Sequence, residues 1–170
     1  SDAGLYVGGS FSTAGGSPAN SLALWNDLFW TPLGSGISTS GTAISSIAVS
    51  GSTVYVGGAF TQAGGTTVQN IASWNGSAWT ALDLGLNVAP SVLVANMGVL
   101  YAGGAFTTAG IVDLPYLAQW DGVRWEGMGV AMNGAVTDLV EMNGDMYAGG
   151  LFTRVGGQTA SVIRWNGTQW

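Results

Sequence analysis

The feature that most constrains this chain is a short motif that occurs four times along its length. The motif runs Tyr, any residue, Gly-Gly, any residue, Phe. Its tyrosines, which lie 49, 46 and 46 residues apart, are Tyr6, Tyr55, Tyr101 and Tyr147. A fixed period of this length is typical of architectures in which each repeat buries its apolar face against its neighbours. The chain is therefore predicted to be a single repeat array over residues 1–170, with repeats at 5–49, 54–97, 100–143 and 146–170.

All eight tryptophans follow the same period and form two columns, a column being the residues at one position of every copy. The first column is Trp25, Trp74, Trp120 and Trp165, and the second, five residues further on, is Trp30, Trp79, Trp125 and Trp170. Between them, three copies carry Asn-Gly or Asp-Gly, which are strong hairpin signals. With the pair at 75–76 as a two-residue turn, Trp74 would face Ser77 and Trp79 would face Ala72. The indoles would then lie diagonally on one face, so both columns and the tyrosines are interpreted as structural residues that pack sheets together.

Each copy holds four strand-like segments. The first is apolar, such as 44–49 or 136–140, and the second is the Tyr-Gly-Gly segment. A Gly/Thr/Ser-rich loop leads to the third, such as 70–74, and the fourth starts at the second tryptophan. No segment has helical periodicity with caps. The prediction is an all-β fold, a β-propeller of four-stranded antiparallel blades with a repeat of about 46 residues; a β-solenoid, whose coils are usually shorter, is the alternative.

The two ends of the chain do not match complete blades. The sequence begins inside a second strand and stops at the first residue of a fourth. The four blades are therefore expected to be incomplete at both ends. Either the rest of a longer repeat chain or another copy is expected to complete the array, because an unpaired edge strand promotes association.

The order of Tyr-x-Gly-Gly, loop and tryptophan resembles the kelch repeat. A bacterial variant, similar to the delta-60 repeat, is matched at residues 55–65 and continues with Trp-Asn-Gly at 74–76. The third copy departs from it, since Ile111 replaces the second glycine of the Ala-Gly-Gly segment. The resemblance implies a propeller but no single function, because kelch-like propellers include enzymes, adaptors and surface proteins.

Composition excludes several classes of function. The chain has no histidine, no cysteine and no lysine, which excludes Ser-His-Asp and Cys-His catalysis, thiolate or histidine metal sites and the copper-oxidase chemistry of some kelch-like proteins. Its net charge of −6 leaves no basic patch for nucleic acid. No apolar run approaches the ~18 residues of a membrane span. No cofactor is predicted; calcium, bound by aspartates and backbone carbonyls, stays open although no Asp-x-Asp-x-Asp loop occurs.

The nine carboxylates are the only catalytic groups available. A glycoside hydrolase needs two of them ~5–10 Å apart on one face. Asp138 and Glu141, three residues apart on a predicted strand, should point to opposite faces. Asp121, which stands where other copies have asparagine, is interpreted as a turn former. A carboxylate-dependent hydrolase or lyase is therefore the last of three hypotheses.

The candidate ligand contacts lie in the loops that vary most between copies. These loops follow the motif phenylalanine or link the fourth strand to the next copy, and in propellers both lie on one face. The residues there that are taken as unique to one copy are Asp83, Asn87, Asp113, Tyr116 and Arg154.

Only 7% of the residues are charged, against about 25% in soluble domains, which suits a secreted or surface-displayed protein. The expected function is a non-catalytic structural or interaction module that binds a partner through the loop face or assembles with other copies. A carbohydrate-binding propeller with Trp and Tyr platforms is the first alternative, with a glycan or surface protein as partner.

Overall fold

The computed structural model describes residues 4–37, 44–129 and 131–170. Within these ranges the chain is all-β, with no helix. In chain order the strands are β1 Leu5–Gly8, β2 Thr13–Ala14, β3 Ser17–Pro18, β4 Leu22–Trp25, β5 Trp30–Pro32, β6 Ile44–Ser50, β7 Thr53–Gly58, β8 Gln62–Ala63, β9 Thr66–Thr67, β10 Ile71–Trp74, β11 Trp79–Ala81, β12 Pro90–Asn96, β13 Val99–Gly104, β14 Thr108–Ala109, β15 Val112–Asp113, β16 Leu117–Trp120, β17 Trp125–Gly127, β18 Val136–Met142, β19 Asp145–Gly150, β20 Arg154–Val155, β21 Gln158–Thr159 and β22 Val162–Trp165.

These strands form four antiparallel sheets of three or four strands, one per copy of the motif, and four two-stranded ribbons; none of the described sheets closes on itself. Sheet 1 has the order β1-β4-β5, sheet 2 β6-β7-β10-β11, sheet 3 β12-β13-β16-β17 and sheet 4 β18-β19-β22. Sheets 2 and 3 thus have the four strands predicted for a copy. Over the described residues, sheet 1 lacks the first of these strands and sheet 4 lacks the fourth. The observed strand bounds agree with the predicted segments to within about two residues.

The hairpin between the two tryptophans has a different register from the predicted one. Trp74 pairs directly with Trp79, and Ala72 pairs with Ala81. The loop therefore has four residues rather than two, because the Asn75 side chain forms an Asx turn: its Oδ1 accepts the backbone N–H groups of Ser77 and Ala78, each at 2.9 Å. The predicted diagonal arrangement of the two indoles is wrong, because Trp74 and Trp79 lie directly opposite each other, but both indoles lie on one face of the sheet as predicted. The indole centroids lie 5.4 Å apart at an interplanar angle of 46°.

The segment predicted as a Gly/Thr/Ser-rich loop is a tight two-stranded ribbon in every copy, such as β8-β9. Gly64 and Gly65 form its turn with φ of 58° and 83°, as a type I′ turn requires. In the third copy Gly110 has φ of 60°, whereas Ile111 stays outside the left-handed region. This combination is that of a type II′ turn, in which only the first central residue needs glycine. The departure from the repeat pattern therefore keeps the ribbon and changes its turn.

The apolar core lies between neighbouring sheets rather than within any one of them. Each of three buried clusters joins two consecutive sheets, and each contains one equivalent pair of side chains: Leu22 with Val54, Ile71 with Leu100, and Leu117 with Met146. A glycine on β1, β7 and β13 permits the close approach. A Cβ on Gly8 or Gly103 would lie 2.6 Å from Ile44 Cγ2 or Val136 Cγ1 of the next sheet, and one on Gly57 would overlap Pro90.

Polar groups also join each sheet to the next. The indole N–H groups of Trp79, Trp125 and Trp170 donate to the carbonyl oxygens of Leu33, Leu82 and Met128 in the preceding copy, at 3.1, 3.0 and 2.9 Å. The second tryptophan of a hairpin thus binds the link that precedes its own sheet. Buried indole N–H groups need such an acceptor, so this contact fixes the spacing of the sheets.

Candidate functional site

The outer face of sheet 1 is open, although the equivalent faces of the other sheets are covered. Leu5 is 60% exposed, whereas its equivalents Val54, Leu100 and Met146 are 0%, 0% and 2% exposed. Beside Leu5 on this face lie Val7 and the pair of Trp25 and Trp30. We call this surface the leading face. It carries no charged side chain on β1, β4 or β5.

Sheet 4, at the other end of the array, also has an open face, namely the one that points away from sheet 3. Val162 is 66% exposed, whereas Leu22, Ile71 and Leu117 in the same column are at most 5% exposed. Gly149 is also uncovered on this face: the nearest atom to a Cβ built on it is Val162 Cγ2 of its own sheet, at 4.0 Å. We call this the trailing face; it consists of Asp138, Val140, Asp145, Tyr147, Gly149, Val162 and Arg164. Its opposite charges include an ion pair of 3.3 Å between Arg164 and Asp145.

Two grooves lie where a hairpin of one sheet meets the link from the sheet before. Groove A, at the junction of sheets 1 and 2, has a volume of about 310 Å³, and groove B, at the junction of sheets 3 and 4, about 460 Å³. The residues of groove A used below are Gly34, Ser35, Thr66, Trp74, Ser77 and Trp79. Those of groove B are Gln119, Gly129, Trp165, Thr168, Gln169 and Trp170. Equivalent positions therefore form a groove at the first and the third junction.

The middle junction differs by one side chain. Asp83 stands where Gly34 and Gly129 stand at the other junctions, and all three have left-handed φ, of 54°, 61° and 69°. The Asp83 carboxylate lies against Gly110, the equivalent of Gly64 in the wall of groove A. It thus occupies the space that glycine leaves open elsewhere.

The predicted ligand contacts are placed as follows. Asp83, Asn87 and Asp113 lie around the ribbon β14-β15 at the junction of sheets 2 and 3, and Tyr116 follows that ribbon. Arg154 lies on β20 at the next junction. Asp83 also borders a cavity of about 420 Å³ with Thr61, Thr67 and Gln69 among its lining. The five residues therefore do not form one site, and their role as ligand contacts stays a prediction.

Asn87 is not unique to one copy. Its Oδ1 accepts the backbone N–H groups of Thr107 and Thr108 at 2.9 and 3.1 Å. Asn133 makes the same pair of bonds to Thr153 and Arg154, both at 2.9 Å. The spacing of 46 residues between the two asparagines carries this signal in the sequence. Both side chains connect a link to the next ribbon.

Tyr116 has an unusual backbone for a bulky side chain. Its φ is 72°, in a column where Ser21 and Asn70 also have positive φ, of 72° and 62°. Asparagine tolerates that region and tyrosine does not readily. The backbone N–H of Tyr116 donates to Phe106 O and its carbonyl accepts from Gly104, at 2.9 and 3.0 Å, so the fold imposes the conformation.

Local partners account for several carboxylates. The backbone N–H groups of Arg124 and Val123 donate to Asp121 and hold its pKa below the ordinary value, so the predicted turn role is confirmed. Glu126 pairs with Arg124 at 2.6 Å, and Glu141 accepts the N–H of Gly144 at 2.7 Å. The strand pairing places Asp138 and Glu141 on opposite faces, as their spacing predicts.

In the described ranges no three acidic side chains are close enough to hold a metal ion together. Nor do these ranges contain a helix that is long and apolar enough to cross a membrane. A scan of the chain against protein-family models found no match, and a search of the curated proteins found none.

Proposed function

We propose that this chain is a non-catalytic structural and interaction module, part of a β-propeller-type array, whose leading and trailing faces bind further sheets of the same kind. The observation that carries the proposal is the contrast within columns: Leu5 and Val162 are 60% and 66% exposed where every equivalent side chain is at most 5% exposed. Large apolar side chains are costly to leave in water when the same positions are buried elsewhere.

The packing of the sheets supports the propeller interpretation. The first strands β6, β12 and β18 lie next to one another, so consecutive sheets approach most closely at that edge. Blades of a propeller meet in this manner around its axis. The kelch-like motif in every copy supports the same interpretation.

The apolar positions of the two open faces, Leu5 and Val162, correspond to the two halves of an interface that occurs three times within the chain. The same buried clusters contain Val54 with Leu22, Leu100 with Ile71, and Met146 with Leu117 of the sheet before. Leu5 of one copy would meet Val162 of the next in the same way. Such a head-to-tail contact is heterologous and produces rings or filaments rather than an isolated pair.

Light scattering of the purified chain over a dilution series tests the proposal. We expect masses that are multiples of 17.2 kDa and that rise with concentration. Val162→Asp and Leu5→Asp should each reduce the mass to that of one chain. Met97→Asp is the matched control, since Met97 is 90% exposed in the turn between β12 and β13 of sheet 3, which forms neither open face. A single-chain mass at every concentration for the unmodified chain would refute the proposal.

The surface composition supports a secreted or surface-displayed protein, because a surface with so few charges depends on hydroxyl and amide groups for solvation. Labelling of intact, unpermeabilised cells with an antibody to the chain tests this: staining is expected, and staining only after permeabilisation would contradict it.

A further inference from the structure

We propose that grooves A and B each bind one neutral sugar residue, with its C–H face on Trp74 or Trp165 and its hydroxyls on the neighbouring side chains. This inference does not depend on assembly through the end faces, because each groove lies within a single chain.

The chemistry of the lining selects a neutral, polyhydroxylated ligand. None of the described residues that line either groove has an ionisable side chain. In groove A, Ser35 offers a hydroxyl group, and the Thr66 and Ser77 hydroxyls, which donate to Trp79 O and Asn75 Oδ1, offer their oxygens as acceptors. In groove B, Gln169 offers an amide that donates and accepts, and Gln119, whose amide donates to Glu126 Oε2, offers its carbonyl oxygen. Beside them lies the electron-rich surface of an indole, which attracts the weakly positive C–H groups of a pyranose ring. A few polar groups beside an apolar platform are typical of small-molecule sites.

Within each hairpin the first tryptophan is the one available to a ligand. Trp79 is only 7% exposed and uses its N–H on Leu33 O. Trp74 is partly exposed, and among the described residues no acceptor binds its Nε1. Trp165 and Trp170 divide the roles in the same way: Trp170 donates to Met128 O, and Trp165 is partly exposed. One indole of each pair thus joins the sheets while the other borders the groove.

The middle junction provides an internal comparison. Its first tryptophan, Trp120, is 8% exposed, and the Asp83 carboxylate lies where the groove would be. Grooves A and B are therefore separate, each one hairpin wide. Proline-rich peptides bind continuous aromatic-lined grooves, which this arrangement interrupts. A single sugar residue per groove fits the geometry better than an extended peptide.

Exchange of the equivalent residues Asp83 and Gly129 between junctions gives the variants for a test. Gly129→Asp copies the residue of the middle junction into groove B, at a φ that Asp83 already adopts and with no atom within 4 Å of the added Cβ. Gly51→Asp is the matched control: Gly51 has φ of 58°, also with open space around its Cβ, and lies in the β6–β7 turn. Asp83→Gly should open a third groove.

The experiment is a titration of the full chain with the methyl glycosides of glucose, galactose, mannose and N-acetylglucosamine, followed through the indole N–H signals in nuclear magnetic resonance. We expect saturable shifts for Trp74 and Trp165 with at least one glycoside, with dissociation constants in the millimolar range usual for a shallow single site. Gly129→Asp should abolish the Trp165 shift and leave that of Trp74. Gly51→Asp should retain both shifts, and Asp83→Gly should add one for Trp120.

Three results would overturn the inference. One is the absence of a saturable shift with all four glycosides while the chain is folded. Another is a Trp165 shift that survives in Gly129→Asp, which would place the ligand elsewhere. A proline-rich peptide that shifts the same signals when the glycosides do not would also refute it, in favour of a peptide site.

Discussion

Adding one methyl group to equivalent glycines should have opposite effects in sheets 3 and 4. Gly103 faces sheet 4, and a Cβ on it would lie 2.6 Å from Val136 Cγ1 and 2.9 Å from Val92 Cγ1. Gly149 occupies the same column on the trailing face, where the nearest atom to its Cβ would be 4.0 Å away. Gly103→Ala therefore overfills an interface, whereas Gly149→Ala adds a methyl group to an open face.

The magnitudes follow from two opposing effects. Alanine in place of glycine within a strand stabilises by about 0.5–1 kcal/mol, because the unfolded chain loses freedom. Overpacking a filled interior costs about 1–3 kcal/mol. From the middle of each range, we therefore expect Gly103→Ala to lower the free energy of unfolding by about 1 kcal/mol. Gly149→Ala should raise it by about 0.5–1 kcal/mol, since the strand effect acts alone.

Urea denaturation monitored by tryptophan fluorescence measures both variants, at protein concentrations low enough to keep the chains apart. The midpoints should move in opposite directions, with the slope unchanged. Equal shifts for the two variants, or a Gly103→Ala chain as stable as the unmodified one, would show that sheets 3 and 4 do not pack as described.

Three further predictions concern single residues. Asn87→Ala and Asn133→Ala should each lower the free energy of unfolding by about 1 kcal/mol in urea denaturation, because each removes an acceptor of two backbone N–H groups. An unchanged free energy of unfolding would mean that water replaces these bonds fully. Gly65→Ala, at φ of 83°, should cost about 1–2 kcal/mol in the same assay, and a neutral result would contradict the type I′ turn. Asp121 has a depressed folded pKa, so its contribution to stability is present above the unfolded value of 3.8 and is lost as the pH falls through the folded pKa. A carboxyl carbon titration by nuclear magnetic resonance should therefore give Asp121 a midpoint below 3.8, and a midpoint at or above it would contradict the two backbone bonds.

Local patterns made the strands predictable, and side-chain hydrogen bonding made the turns less so. The second tryptophan starts a strand because the hairpin is formed by neighbours in sequence. The register was missed because it depends on where Asn75 Oδ1 bonds, which the Asn-Gly pair does not specify. The ribbons were missed although Gly64-Gly65 is itself a hairpin signal between two short polar segments.

The grooves were not predictable from any single copy. They depend on which residue occupies the position of the link that has a left-handed φ. Alignment of the copies shows that this residue is Gly34 at the first junction, Asp83 at the second and Gly129 at the third. Asp83 is predicted as a ligand contact because it is unique to one copy. In the structure its carboxylate lies against Gly110 at the middle junction. Tertiary packing between copies, which a repeat pattern does not encode locally, decides that difference.

Disulfide trapping tests the central claim most directly, namely that the leading face of one copy fits the trailing face of another. The chain has no cysteine, so Leu5→Cys and Val162→Cys introduce single thiols on the two faces. The account predicts rapid disulfide-linked dimers when the two variants are mixed under mild oxidation, because Leu5 and Val162 occupy the positions of the pairs buried together at all three internal junctions. Each variant alone should link slowly. Equal linking in the mixture and in the separate variants, or none in the mixture, would contradict it.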